Sequence, residues 1–264
     1  MEIFSMFLES TSLALIIIPL LVTCAPLWFA YKAKWNILFR DLGVPLGLFW
    51  SVVGATGMAL NMTDVRAYGP ATAIMLLTIT YGGLVSALGY FSTFKSSNPE
   101  RHNNEKTAGL KIITFILVAF LAFTLWAMDS TAGLAAFINP VALSVFGTTI
   151  VSAVLLSDSD HRIEVLCQAS LLSAMISLVL GLVVLYTSFS GEGLTEGMYE
   201  GLSIAMNGLN YGLFSYICVY IVSYKFGTTG KINAPLMNWH WMEVTGFLIF
   251  MFFAPETLRE SLLH

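Results

Sequence analysis

Charged side chains are scarce in this chain: Asp, Glu, Lys and Arg make up 11% of its 264 residues, against 57% hydrophobic residues. Such a composition is not that of a soluble globular domain. The longest segment between two apolar runs holds about 16 residues, at 95–110, which is too short to bury a core of its own. The sequence therefore predicts one integral membrane domain over residues 1–264.

Residues that carry catalytic or metal chemistry are also few. The three cysteines form no CxxC pair, and the four histidines are scattered along the chain. No metal-ligand spacing, nucleophile triad or phosphate-binding loop occurs. We therefore expect no enzyme, no cofactor, no metal site and no nucleic-acid partner.

Long apolar runs dominate the chain instead. Eight of them lie near 11–31, 42–62, 70–94, 111–128, 136–156, 164–188, 200–224 and 240–255. Most hold 18 or more residues, which as a helix crosses a hydrocarbon core of about 30 Å. Because a backbone in lipid must satisfy its own hydrogen bonds, the runs predict an all-α membrane protein with about eight transmembrane helices. The last run is short and contains His240 and Glu243, so an interfacial helix is the alternative there.

Basic residues are distributed unevenly over the loops. Ten of the twelve Lys and Arg residues fall in the odd-numbered loops, and only Arg66 and Arg259 fall on the other side. The positive-inside rule then places the odd-numbered loops in the cytoplasm and both termini outside.

Two segments of the chain are similar to each other. AIMLLTITYGG at 73–83 and SIAMNGLNYGL at 203–213 place Tyr81-Gly82 and Tyr211-Gly212 at a separation of 130 residues. Spans 2 and 3 thus resemble spans 6 and 7. The pattern predicts two parallel four-helix repeats, residues 1–128 and residues 129–264.

Residues 42–94 carry a family signature: a proline near the start of one span, a glycine-rich stretch, a short external loop ending in Gly-Pro, and a helix with the pattern T-x-T-Y-G. The residues are Pro45, Gly47, Gly54, Gly57, Gly69, Pro70, Thr78, Thr80, Tyr81 and Gly82. This segment resembles the last two spans of the MotA/TolQ/ExbB family, the A-type subunits of flagellar stators and energy-transducing motors. The second half of the chain is similar to a whole A-type subunit without its cytoplasmic part.

The chain also departs from the family pattern. The loop SDSDHRIE at 157–164 replaces a substantial cytoplasmic domain. In the second copy the counterpart of Pro45 lies near Leu172, and Thr78 and Thr80 correspond to Gly208 and Asn210. The hydroxyl lining expected from the family is therefore kept only in the first half.

The resemblance implies a multi-pass subunit of the bacterial inner membrane, within a motor-like or proton-channel complex. It implies an odd-numbered ring, five subunits in the family, around single-span B-type partner helices that bring an intramembrane Asp. The residues expected to face the pore or the partner are Pro45, Thr78, Thr80 and Tyr81. Because no central carboxylate is present in the chain itself, the partner's Asp would supply the titratable group.

Small and polar residues at membrane depth have their own predictions. Close helix packing, within the chain or between subunits, is expected at Gly54, Gly57, Gly82 and Gly83. Asn207 and Asn210 are three apart and share a helix face, so we expect interhelical hydrogen bonds. With Glu243 and His240 they are the candidate polar intramembrane residues.

Three alternatives stay open. The threonine hydroxyls can return to a carbonyl of their own helix and play no part in conduction. The chain can be a non-conducting assembly scaffold. It can also be a stand-alone secondary transporter with its site between the two repeats, at Asn207, Asn210 and Thr80, which helices interrupted near Gly54 and Gly57 would favour.

Overall fold

The computed structural model describes residues 10–31, 33–60, 65–95, 109–159, 161–188 and 196–226. Within these ranges the chain forms seven α-helices and one short 3-10 helix, and no β-strand. The elements are α1 Ser10–Tyr31, α2 Trp35–Leu60, α3 Val65–Lys95, α4 Leu110–Ala132, the 3-10 helix Leu134–Phe137, α5 Pro140–Leu156, α6 Arg162–Thr187 and α7 Glu196–Phe226. They follow the first seven predicted runs in order, which confirms the all-helical fold. The run at 240–255, with His240 and Glu243, lies outside the described residues.

The helices have the length and composition of membrane spans. Among the described residues, four segments are long and apolar enough to cross a bilayer: Trp35–Gly57, Leu110–Ala132, Arg162–Thr187 and Gly197–Phe226. Three shorter apolar helices occupy Leu13–Phe29, Ile74–Tyr90 and Pro140–Leu156. The described part of the chain therefore has the character of a multi-pass helical membrane protein. The number of eight spans, the side on which the termini lie and the parallel repeats stay predictions.

The chain divides into two compact units. Among the described residues, the first comprises residues 10–135 with 216–226, and the second comprises residues 136–215. The helix α7 thus contributes its residues up to Ser215 to the second unit and the rest to the first. These units are defined by contacts and not by sequence similarity, so the repeat boundary between residues 128 and 129 stays a prediction.

The core of the first unit is built around α2. Its side chains from Leu46 to Val53 are all buried, and the rings of Phe49 and Trp50 lie among aromatic residues of α4. The ring centroids of Trp50 and Phe123 are 5.3 Å apart with an edge-on arrangement, a favourable geometry for an aromatic pair. Because α2 is apolar around much of its circumference, it lies at the centre of the unit and not at its edge.

In the second unit, a turn followed by an N-cap sets the start of α5. The side chain of Asn139 accepts a hydrogen bond from the N–H of Ala142 at 2.9 Å, and Pro140 occupies the first turn of the helix. This is the usual combination of capping side chain and early proline at a helix start. The helix consequently begins four residues after the start of the predicted run at 136.

Candidate functional site

The helices α2 and α3, which contain the residues of the family resemblance, pack against each other through glycines. A Cβ built on Gly82 would lie 2.5 Å from the carbonyl oxygen of Gly43 and 2.7 Å from Cα of Gly47. A Cβ on Gly47 would lie 2.8 Å from the carbonyl oxygen of Thr78. The two backbones are thus in direct contact, which only glycine allows. We call Gly43, Gly47 and Gly82 the glycine seam.

Side-chain hydroxyls link the same two helices at both ends of the seam. The hydroxyl of Ser51 donates to the carbonyl oxygen of Met75 at 3.0 Å, and that of Ser86 donates to the carbonyl oxygen of Arg40 at 2.6 Å. The pairing of early residues in α2 with late residues in α3 makes the helices antiparallel. The seam and its two hydrogen bonds together fix their register.

The four glycines predicted for helix packing have different surroundings. Gly82 lies in the glycine seam, a Cβ on Gly54 would lie 3.2 Å from Cγ of Met75, and Gly57 packs against the side chain of Thr131 in α4. A Cβ on Gly83 would meet no described atom within 4 Å. The helix α2 is continuous through Gly54 and Gly57.

The four residues predicted to face a pore or a partner do not share one surface. Pro45 and Thr78 are buried, Tyr81 is half-buried and Thr80 is exposed. The hydroxyl of Thr78 donates to the carbonyl oxygen of Met75 at 2.7 Å, and that of Thr80 donates to the carbonyl oxygen of Leu76 at 2.8 Å. Both hydroxyls thus bond to a carbonyl of their own helix, which is one of the alternatives left open by the sequence. Each hydroxyl oxygen can still accept a further hydrogen bond.

A charged cluster lies within the first unit, at residues that were not predicted to form a site. The guanidinium of Arg40 contacts the carboxylate of Asp41 twice, from Nε to Oδ1 at 2.6 Å and from Nη2 to Oδ2 at 3.1 Å. The hydroxyl of Tyr220 donates to Oδ2 of Asp41 at 2.8 Å. A largely buried carboxylate requires such partners. The four-residue spacing of Tyr216, Tyr220 and Tyr224 was the available signal, since it puts three hydroxyls on one helix face.

In the second unit, α7 holds the turn that precedes α5. The hydroxyl of Tyr211 donates to the carbonyl oxygen of Phe137 at 2.6 Å and accepts from the N–H of Asn139 at 3.0 Å. The amide nitrogen of Asn139 donates to the hydroxyl of Ser203 at 3.1 Å. This network satisfies backbone groups that the helices cannot pair.

Asn207 and Asn210 are both buried, with 1% of each residue exposed. The amide nitrogen of Asn207 donates to the carbonyl oxygen of Ala136 and to the hydroxyl of Ser203, each at 3.2 Å. The oxygen of Asn207 and both polar atoms of Asn210 have no hydrogen-bond partner among the residues that the structure describes. Asn207 thus reaches another element, whereas Asn210 does not.

The helices α6 and α7 pack in the same register as α2 and α3. A Cβ on Gly212 would lie 2.6 Å from Cβ of Ala174, and a Cβ on Gly181 would lie 2.6 Å from Cβ of Ala205. In the alignment of the two halves, Tyr81 corresponds to Tyr211 and Pro45 corresponds to Leu172. The contact of Gly212 with Ala174 then corresponds to that of Gly82 with Gly47. The contact of Gly181 with Ala205 corresponds to that of Gly54 with Met75. The two helix pairs thus have similar close contacts at these positions, and the duplication of a four-helix unit stays a prediction.

Comparison with known proteins gives a partial similarity. No protein-family model matches the sequence, and no solved structure matches it significantly. The chemotaxis protein PomA of Vibrio alginolyticus is 40% identical over 53 residues, which are 20% of this chain and 21% of PomA. The match therefore spans about a fifth of either protein. It supports the resemblance to the MotA/TolQ/ExbB family over that length.

Proposed function

We propose that the chain is a non-enzymatic, multi-pass subunit of the bacterial inner membrane that belongs to a motor-like or proton-channel complex of the MotA/TolQ/ExbB type. It binds no cofactor, associates with further copies of itself, and packs around single-span partner helices. The observation that carries this proposal is the α2/α3 pair, where the glycine seam rigidly joins the two helices that bear the family resemblance. The partial similarity to PomA supports a stator-like membrane protein.

The outward face of α3 supports a helical partner. Leu76, Thr80, Leu84 and Leu88 recur at intervals of four residues and are exposed, and beside them the space around Gly83 is open. Helices in lipid associate where small and polar residues allow close approach. A single helix laid along this face would contact the Thr80 hydroxyl and fill the space beside Gly83.

The outward face of α4 is different in kind. Most of its exposed side chains at mid-helix are bulky and apolar, namely Phe115, Val118, Leu121, Leu125 and Trp126, although Thr114 and Ala122 are exposed as well. A mainly bulky apolar surface suits lipid chains, and α4 contains no glycine that would leave an open space like the one beside Gly83. We therefore assign partner binding to α3 and lipid contact to α4.

Site-directed cross-linking tests the assignment. Single cysteines are introduced at Leu84 in α3 and at Val118 in α4, which are 56% and 59% exposed, in a chain whose three native cysteines are replaced by serine or alanine. In native membranes Leu84→Cys should capture a small protein with one apolar span, and Val118→Cys should not. Equal capture by both positions, or capture only of a second copy of this chain through Leu84→Cys, would refute a partner helix on α3.

The proposal leaves two roles for the subunit within the complex, proton conduction and scaffolding. The chain would conduct if the partner's Asp, opposite Thr80, exchanged a proton with water along this face. The intrahelical hydrogen bonds of Thr78 and Thr80 favour the second candidate, a subunit that scaffolds the complex without conducting. Proton flux into vesicles that contain the whole complex separates the two. Thr80→Val, which keeps the shape and removes the hydroxyl, should lower the flux of a conducting subunit and leave assembly of a scaffold unchanged.

The stand-alone transporter stays an alternative. A helix interrupted near Gly54 and Gly57 would favour it, and α2 continues through both positions. A ligand that raised the melting temperature of the isolated chain would favour it.

A further inference from the structure

The exposed side of α1 changes character along the helix. Its exposed residues at mid-helix are aliphatic, namely Ile17, Ile18 and Leu21. The next exposed residues are Trp28 and Phe29, whose ring centroids are 4.5 Å apart. The step from Leu21 to Trp28 returns to the same helix face and, at 1.5 Å per residue, moves about 10 Å along the axis. One face of α1 is therefore aliphatic at mid-helix and aromatic near its end at Tyr31.

The start of α2 also presents an aromatic residue. Trp35 is the first residue of α2 and is 47% exposed, and its ring centroid lies 5.4 Å from that of Phe39. Over residues 36–57 no residue of α2 is exposed, so Trp35 is an exception in a helix that is otherwise enclosed over this range. Because α1 ends at Tyr31, Trp28 and Trp35 each lie within about one helical turn of the connection between the two helices.

A lysine lies in the same connection, directly before Trp35. Lys34 is exposed, and its carbonyl oxygen accepts from the N–H groups of Ile37 at 3.0 Å and Leu38 at 3.2 Å, which fixes its backbone at the start of α2. No acidic side chain in the described part of the chain forms an ion pair with Lys34. The nearby charges of Arg40 and Asp41 pair with each other. Lys34 thus leaves an uncompensated positive charge beside the exposed aromatic residues.

The combination of tryptophan and lysine indicates what covers this surface. Tryptophan is enriched at protein interfaces and at bilayer interfaces alike, but lysine is depleted at protein interfaces. At a bilayer interface an indole lies at the level of the headgroups, and a lysine extends its ammonium group towards them. The order aliphatic, aromatic, basic over residues 21–34 matches the change from acyl chains to headgroups. The uncompensated charge of Lys34 favours headgroups with a net negative charge.

We propose that the connection between α1 and α2 binds anionic phospholipid headgroups, with Lys34 against the negative charge and the rings of Trp28, Phe29 and Trp35 at the boundary between headgroups and acyl chains. Ammonium and indole N–H groups are donors, and phosphate oxygens accept from them. The bound headgroups hold the first unit at a fixed depth in the bilayer. This surface does not include α3, so failure of the proposal would leave the partner helix on α3 standing, and the reverse also holds.

Fluorine NMR of the full chain in lipid nanodiscs tests the depth of this surface. The tryptophans are labelled as 5-fluorotryptophan, and signals are assigned through Trp28→Phe, Trp35→Phe and Trp50→Phe. Nitroxides are attached either to lipid headgroups or to acyl-chain ends. The Trp28 and Trp35 signals should broaden more with the headgroup nitroxide, and Trp50, which is 1% exposed, should broaden least. Broadening of Trp28 and Trp35 no greater than that of Trp50 would show that protein covers the surface and would overturn the proposal, as would stronger broadening by the chain-end nitroxide.

A titration with anionic lipid tests the preference for negative charge. The nanodiscs contain phosphatidylcholine with a rising fraction of phosphatidylglycerol, and the shift of the Trp35 signal is followed. Lys34→Gln should weaken the apparent affinity for phosphatidylglycerol about fivefold, the usual effect of one basic residue at a membrane surface, and Lys34→Arg should retain it. Lys111→Gln, which removes an exposed charge at the start of α4, is the matched control and should leave the Trp35 response unchanged. An unchanged response in Lys34→Gln, or an equal loss in Lys111→Gln, would overturn the proposal.

Discussion

The hydroxyl of Tyr220 donates a 2.8 Å hydrogen bond to Oδ2 of Asp41, although the two residues are 179 positions apart. The same carboxylate is held by Nε and Nη2 of Arg40. This contact ties the last turns of α7 to the first turns of α2 inside the first unit. It also explains how a carboxylate is accommodated in a largely buried position.

Removing the Tyr220 hydroxyl should destabilise the first unit. We expect Tyr220→Phe to cost about 1.5–3 kcal/mol, the usual range for a hydrogen bond to a charged group, because among the described residues Asp41 then keeps only its Arg40 contacts. Thermal unfolding in detergent measures the change, with Tyr186→Phe on the exposed face of α6 as the control. Equal stability of Tyr220→Phe and the unaltered chain would contradict the role of this bond.

The glycine seam predicts a sharp difference between two adjacent residues. Gly82→Ala should destabilise the chain by about 1–3 kcal/mol, since its Cβ would press against the backbone of Gly43 and Gly47. Gly83→Ala should be neutral or stabilising by up to about 1 kcal/mol, because alanine favours a helix and its Cβ enters open space. Melting curves of both variants in the same detergent compare them, and an equal effect would show that the seam does not limit packing.

The turn before α5 depends on one tyrosine. Tyr211→Phe removes the bonds to Phe137 and Asn139 but keeps the ring, whose centroid lies 6.2 Å from that of Phe146. At about 0.5–1.5 kcal/mol per hydrogen bond, the loss should be about 1–3 kcal/mol. Faster hydrogen exchange at the backbone N–H of Asn139 should accompany it. Tyr199→Phe, at an exposed position of the same helix, serves as the control and should change neither quantity.

Hydrophobicity predicted the seven described helices but not all of their ends. The second run was placed at 42–62, whereas α2 begins at Trp35. The helix includes Arg40 and Asp41. Because charged residues lower the hydropathy, the predicted run was started after them. The ion pair between Arg40 and Asp41 and the Tyr220 hydrogen bond stabilise these charges within the first turns of the helix. The Tyr220 contact could not be predicted from the local sequence, because Tyr220 lies 179 residues away from Asp41.

The site was predictable where it depends on local pattern and not where it depends on distant partners. Gly82 could be expected to pack closely, because small residues recur around it at helical spacing. The neighbouring Gly83 is equally small, so the same prediction applied to it, but the space around it is open. The difference arises because Gly82 faces α2 and Gly83 does not, and the sequence alone does not tell which of the two faces α2. Likewise the shared face of Asn207 and Asn210 followed from their spacing, but the bond from Asn207 to Ala136 did not.

The assembly should contain an odd number of whole chains, five as in the family that the sequence resembles. If both halves formed equivalent wall segments, each chain would add two units, and a closed ring would hold an even number of them. The burial of Asn207 and Asn210 inside the second unit and the exposure of Thr80 argue against such equivalence. We therefore expect α2 and α3, with Pro45, Thr78, Thr80 and Tyr81, to lie next to the central axis, and α6 and α7 to lie away from it.

Native mass spectrometry gives the number of chains, and an electron-microscopy map of the complex in lipid gives the position of each helix pair. An even ring with both pairs at the same distance from the axis would refute this prediction and favour a pseudo-symmetric assembly of fused subunits.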